Sequence, residues 1–161
     1  MPHNERLRDH VLAQLDSRQA HHTFDAVLAN IPPAVRGERP AALPYSLWEL
    51  LEHMRRAQAD ILAFCQNPDY THPDWPDAYW PDAPAPPDGS AWTESVAAFR
   101  ADLESIKDLV ADPALDLYAE IPHGDGQTYL REALLVADHN AYHLGQLVTV
   151  RRLLDIWPPD E

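Results

Sequence analysis

His139-Asn140-Ala141-Tyr142-His143 lies inside a stretch, residues 127–157, whose apolar side chains recur at helical spacing. Two histidines four apart on a helix sit one turn apart on one face. Val136, Leu144, Leu147 and Val150 share or border that face, while Arg131, Arg151, Arg152 and Asp155 fall mostly off it. The pair therefore points inward. Some other element must pack against it and supply partners, because burying an unpaired polar ring costs roughly 1–3 kcal/mol. Two readings meet that demand: the imidazoles share one metal ion, or they are core histidines hydrogen-bonded to neighbours.

The rest of the chain reads as helices separated by proline. Leu7, Val11, Leu15, His22, Ala26 and Ala29 recur at helical spacing, so one long first helix is expected over residues 4–30, stopped by Pro32-Pro33. His21 and His22 fall inside it; one could face the core beside a metal, although a solvent-facing or capping role is the commoner fate. After a connector with four prolines and one glycine at residues 31–45, Ser46 and Glu49 form a capping-box pattern. They open a second helix over residues 47–66, with Leu47, Leu50, Leu51, Met54, Ala57, Ile61 and Leu62 on one stripe and His53 within it. Residues 67–89 carry seven prolines together with Tyr70, Trp75, Tyr79 and Trp80. The aromatics predict a loop packed over the core or one end of the bundle, with a lid as the weaker reading and His72 exposed. Ser90 is the expected cap of a third helix over residues 91–110. Asp112-Pro113 ends that helix, a short extended piece is expected near Leu115 to Ile121, and Gln127 or Thr128 starts the fourth helix.

Four amphipathic helices without a strand pattern predict an all-α antiparallel four-helix bundle, with a long proline- and tryptophan-containing loop between the second and third helices. At 161 residues, 45% of them hydrophobic, the chain reads as a single domain, 1–161. The formal charge of −14 argues against nucleic acid and against an anionic membrane surface as partners. Cys65 is the only cysteine, so no intrachain disulfide is expected, and it reads as a small core hydrophobe. No signal peptide, long apolar run or lipidation motif is visible, which makes the cytoplasm the default location.

His53 on the second helix, with His139 and His143 on the fourth, makes three neutral-imidazole ligands and leaves one metal position open, the arrangement of a catalytic site. Zinc, nickel, cobalt, copper and iron(II) all suit imidazole. Position 140 is Asn and no Glu follows His139, so the zinc-protease helix motif and its general base are missing. Gln146, three residues after His143, and Glu49, four before His53, are candidates to support or line the site, and His22 is a third; for Glu49 the capping role is preferred.

At this point the chain resembles a known family. The segment Trp48-Glu49-Leu50-Leu51-Glu52-His53 and the run from Leu130 through His139-Asn140-Ala141-Tyr142-His143 to Leu147 resemble the DinB/YfiT-like superfamily, over about Leu7 to Trp157. The resemblance implies an up-down-down-up four-helix bundle, often dimeric. It also implies a divalent metal, zinc or nickel, on three histidines that map onto His53, His139 and His143. Characterised relatives include enzymes that use low-molecular-weight thiols in S-transfer or isomerisation, and others are labelled only as metal-dependent hydrolases.

Three functions compete. In a thiol transferase the metal lowers the pKa of a small thiol, which needs no carboxylate base but does need positive groups for an anionic thiol; Arg131, Arg151 and Arg152 qualify if they rim the pocket. In a hydrolase the metal lowers the pKa of bound water, and Glu49 or Asp138 would have to reach the open position as base. In a non-enzymatic bundle the histidines bind a metal or a small molecule only. The transferase ranks first, with a small-molecule substrate and a homodimer as the expected partners.

Overall fold

The computed structural model describes residues 2–16 and 19–158. Among these the chain is all-helical, with five α-helices and no strand: α1 (Pro2–Leu15), α2 (Phe24–Leu28), α3 (Leu47–Gln66), α4 (Ala91–Ala111) and α5 (Tyr129–Leu153), with 3-10 turns at Pro33–Val35 and Asp77–Tyr79. The extended piece expected near residues 115–121 is reduced to one isolated bridge, Glu120 to Thr128.

Local chemistry sets the ends of the helices. At α3 the Glu49 backbone N–H donates to Ser46 Oγ at 3.2 Å, and the Ser46 N–H donates to Glu49 Oε2 at 2.8 Å, a complete capping box. Thr128 caps α5 by accepting from the Arg131 N–H. The cap of α4 differs from the expectation. Ser90 offers it no side-chain bond, and Asp88 Oδ1 accepts instead from the backbone N–H groups of Ser90 and Ala91, because a carboxylate two residues earlier reaches both donors.

The expected long first helix is in fact two. α1 ends at Leu15, and Thr23 caps the separate α2 by accepting from the Ala26 N–H; residues 17 and 18 of the expected span lie outside the described residues. From Asp16 to Thr23 no large apolar side chain occurs, so no inward stripe holds a helix there. Phe24, Val27 and Leu28 resume burial from the new cap.

α3 packs against α4 and α5, and α1 packs against the same two helices. The contacts give directions. Glu52 meets Ser95 and Gln58 meets Phe99, so α3 and α4 run parallel. Arg8 reaches the Val110 carbonyl while Asp16 reaches Lys107, so α1 and α4 run antiparallel. Two apolar clusters fill the interior. One gathers Leu47, Leu50, Leu51 and Met54 of α3 around Phe24, Phe99, Leu144 and Leu147. The other gathers Val11 and Leu15 with Leu62, Ile106, Val110 and Val136. A polar layer divides them, in which Asn140 Nδ2 donates to Gln58 Oε1 and Gln58 Nε2 donates to the Phe99 carbonyl.

The loop between α3 and α4 is packed at its centre. Tyr79 is buried, its hydroxyl donating to Asp60 Oδ2 at 2.6 Å, and Arg56 holds the Trp80 carbonyl at 2.8 Å. Gly37 is required by this packing, since a Cβ there would stand 2.4 Å from the Ala85 Cβ. Of the aromatics expected to pack this loop down, Trp75 stands apart. It is 68% exposed and only edges against Tyr79. Arg151 departs in the other direction. Expected off the inner face, it is fully buried, and its guanidinium donates to the Val27 and Ile156 carbonyls and lies over Trp157. It thereby ties α2 and the C-terminal segment to α5. No helix among the described residues is long and apolar enough to cross a membrane.

Candidate metal centre

Because α3 and α5 are neighbours, their inward histidines meet. His53, His139 and His143 each offer a ring nitrogen, and these atoms lie within 4.8 Å of one another. Ring centroids are 5.0 Å apart for His53 and His139, 4.6 Å for His53 and His143, and 4.4 Å for His139 and His143. His53 and His143 are buried and His139 is partly so.

Hydrogen bonds select the tautomers. His53 Nδ1–H donates to the Tyr79 carbonyl at 3.2 Å, and a carbonyl can only accept, so the Nε2 lone pair of His53 is left facing the cluster. His143 Nδ1–H donates to Gln146 Oε1 at 2.6 Å, which frees its Nε2 in the same way. His53 Nε2 and His139 Nε2 stand 3.2 Å apart. Two ligands at 2.0–2.1 Å on one tetrahedral zinc would be separated by about 3.3–3.4 Å. The donor set thus fits a divalent ion in kind, number and spacing.

Burial favours the neutral, ligating form of each ring. It lowers the His53 pKa below the ordinary histidine value against the opposing pull of the Tyr79 carbonyl. His139 is held at about 3, first by burial and then by the charges that His143 and His53 would carry. His143 is held at about 4 by burial and by His53, with the Gln146 bond opposing.

Trp80 stacks flat on His53, with centroids 4.0 Å apart and planes 4° from parallel, and Tyr142 sets its ring against His143 at 5.0 Å. The sequence profile of the DinB superfamily matches residues 16–147. The chain belongs to the DinB superfamily. No curated protein and no solved structure matches it.

In this DinB chain the remaining candidates scatter. Gln146 is at the site, on His143. Glu49 is not: its carboxylate is taken by the capping box and by Arg39, which holds both oxygens. His22 is exposed and edges against Trp157 at 4.9 Å, away from the three histidines. Asp138 is exposed. Of the three arginines, Arg151 is buried in the carbonyl contacts above and Arg152 is exposed. Arg131 does line a cleft of about 510 Å³ between α3 and α5, together with His72, His123 and Leu135, the last one turn before His139. Tyr79 and Trp80 had a visible signal in the sequence, as aromatics of a loop with apolar surface to bury, but their pairing with His53 across 26 and 27 positions did not.

Proposed function

We propose that the protein is a divalent-metal-dependent enzyme that transfers groups to or from a small thiol. The observation that carries the reading is the convergence of three imidazoles, His53, His139 and His143, with ring nitrogens within 4.8 Å of one another, two of which, His53 and His143, have their Nε2 left free by the bonds of Nδ1 to Tyr79 and Gln146. Bound there, a zinc or nickel ion supplies Lewis acidity that makes a thiolate available near neutral pH. The chain's own groups do the rest. Trp80 screens one face of His53 from water, and Arg131, paired with Glu132, is the one arginine or lysine that the neighbouring cleft offers an anionic thiol, beside Asp60, Asp125 and Glu132.

Hydrolysis is the second reading, and the surroundings favour it less. Among the described residues the recorded partners of the three rings are a carbonyl, an amide, other aromatic rings and one another, none of them a carboxylate that could serve as base. A metal-binding bundle without catalysis ranks third.

The same proposal includes the up-down-down-up order of the four long helices, supported by parallel α3 and α4 and antiparallel α1 and α4. It also includes a two-fold dimer, supported by Leu134, Tyr142 and Leu153, which are exposed along one side of α5.

Cobalt-loaded protein tests the chemistry. Adding glutathione or another small thiol should produce a near-ultraviolet thiolate-to-cobalt band that His139→Ala abolishes. A cobalt spectrum indifferent to every thiol tried, beside hydrolysis of simple esters by the zinc form, would reverse the ranking.

A further inference from the structure

The Tyr79 carbonyl that accepts from His53 Nδ1 belongs to the loop between α3 and α4. A loop carbonyl fixes a ring only if the loop itself is held, because a free backbone visits many conformations. Here the loop is held twice, and both holds come from the side of α3 that carries His53. Arg56 and Asp60 follow His53 by three and seven residues, so the three side chains leave one face of the helix.

Arg56 takes the backbone. Its Nη1 donates to the carbonyls of Ala78, at 3.2 Å, and Trp80, at 2.8 Å, the residues on either side of Tyr79. The buried Glu52 carboxylate braces the same guanidinium by accepting from its Nε at 3.1 Å. Asp60 takes the side chains. The Tyr79 hydroxyl donates to its Oδ2 at 2.6 Å and the Tyr70 hydroxyl to its Oδ1 at 2.7 Å, both in the short range of hydroxyl-to-carboxylate bonds. His72 Nε2 stands farther from the Tyr79 hydroxyl, at 3.4 Å. No arginine or lysine pairs with Asp60 among the described residues; its two partners are tyrosines of the loop. Tyr79 is therefore held through its hydroxyl and through the carbonyls of both neighbours, while its own carbonyl faces His53 and the next ring, Trp80, lies flat on it.

We propose that Asp60 and Arg56 are positioning residues for His53, and through it for the metal centre: they clamp residues 78–80 so that the Tyr79 carbonyl keeps His53 in the tautomer whose Nε2 is free. The expected effect on metal affinity rests on the metal reading above; the effect on the His53 ring does not.

The test reads both. In the metal-free protein, long-range ¹H–¹⁵N correlation of the imidazoles should show His53 protonated on Nδ1, and Asp60→Ala should convert it to a mixture of tautomers. In competition with a chromophoric chelator, Asp60→Ala and Arg56→Met should each weaken zinc binding about 10–100-fold with native circular dichroism. Arg55 still pairs with Glu52 in the second variant. Tyr79→Phe keeps the carbonyl and removes only the hydroxyl, so it tests the clamp even if Asp60→Ala does not fold. It should also weaken zinc, and the double variant should bind no more weakly than Asp60→Ala alone, because both changes cut one bond. Losses that add would show that Asp60 acts by another route and would overturn the proposal. Unchanged zinc affinity in Asp60→Ala or in Arg56→Met would overturn it too, as would a His53 tautomer that Asp60→Ala leaves unmoved. A wild type that binds no zinc contradicts the metal reading alone, and the tautomer measurement then decides the clamp by itself.

Discussion

At the scale of single residues, the site depends on who holds each imidazole. Gln146 Oε1 fixes the His143 tautomer, so Gln146→Leu should lower metal affinity about 10–100-fold, as read by competition with a chromophoric chelator, while leaving the fold intact. Unchanged affinity would mean that His143 is oriented by something else. Glu52, the neighbour of His53, has a different task. Burial would raise its pKa, but hydrogen bonds from Arg55 and Ser95, with Arg55's charge and a further bond from Arg56, outweigh this and hold it at about 2. A carboxyl depressed in the folded state stabilises above its unfolded value, near 4.5, and loses that contribution as the pH falls through about 2. Urea denaturation between pH 5 and pH 2 should therefore show the stability difference between the protein and Glu52→Gln shrinking by up to about 3 kcal/mol. The three histidines were legible because two share a helix face and the third sits in an apolar stripe. Their partners were not, since the Tyr79 carbonyl and the Trp80 ring arrive from a loop whose path no periodicity encodes.

At the scale of elements, α3, α4 and α5 follow from amphipathic stripes, caps and proline stops. The first expected helix failed for a physical reason. Its periodicity was bridged by His22 alone across eight residues with no large apolar side chain, and a stripe that thin does not outweigh a fresh cap at Thr23. Arg151 shows the converse failure: a charge reads as surface, yet two carbonyls at the end of the bundle draw it inside. α5 carries its own weakness at Gly145, which lies mid-helix, exposed, two residues from His143. A Cβ there would meet nothing within 4 Å, so Gly145→Ala should stabilise the protein by about 0.5–1 kcal/mol in chemical denaturation. A loss of stability would show that α5 needs the flexibility, or that this side of the helix is covered in solution.

At the scale of the molecule, two apolar clusters are joined by an amide layer, and the histidines stand at the α3–α5 seam beneath the loop that follows α3. The all-helical class was readable from four stripes without strands. The division of the core was not, because Gln58 and Asn140 read as ordinary polar residues until three helices bring them together. The central claim is that this bundle holds one divalent ion on His53, His139 and His143. Metal analysis by mass spectrometry tests it on untagged protein beside His53→Ala and His139→Ala. The account predicts about one ion per chain in the wild type, lost from both variants while their helical circular dichroism persists. A wild type that takes up no zinc or nickel even on incubation, or variants that keep their metal, would contradict it.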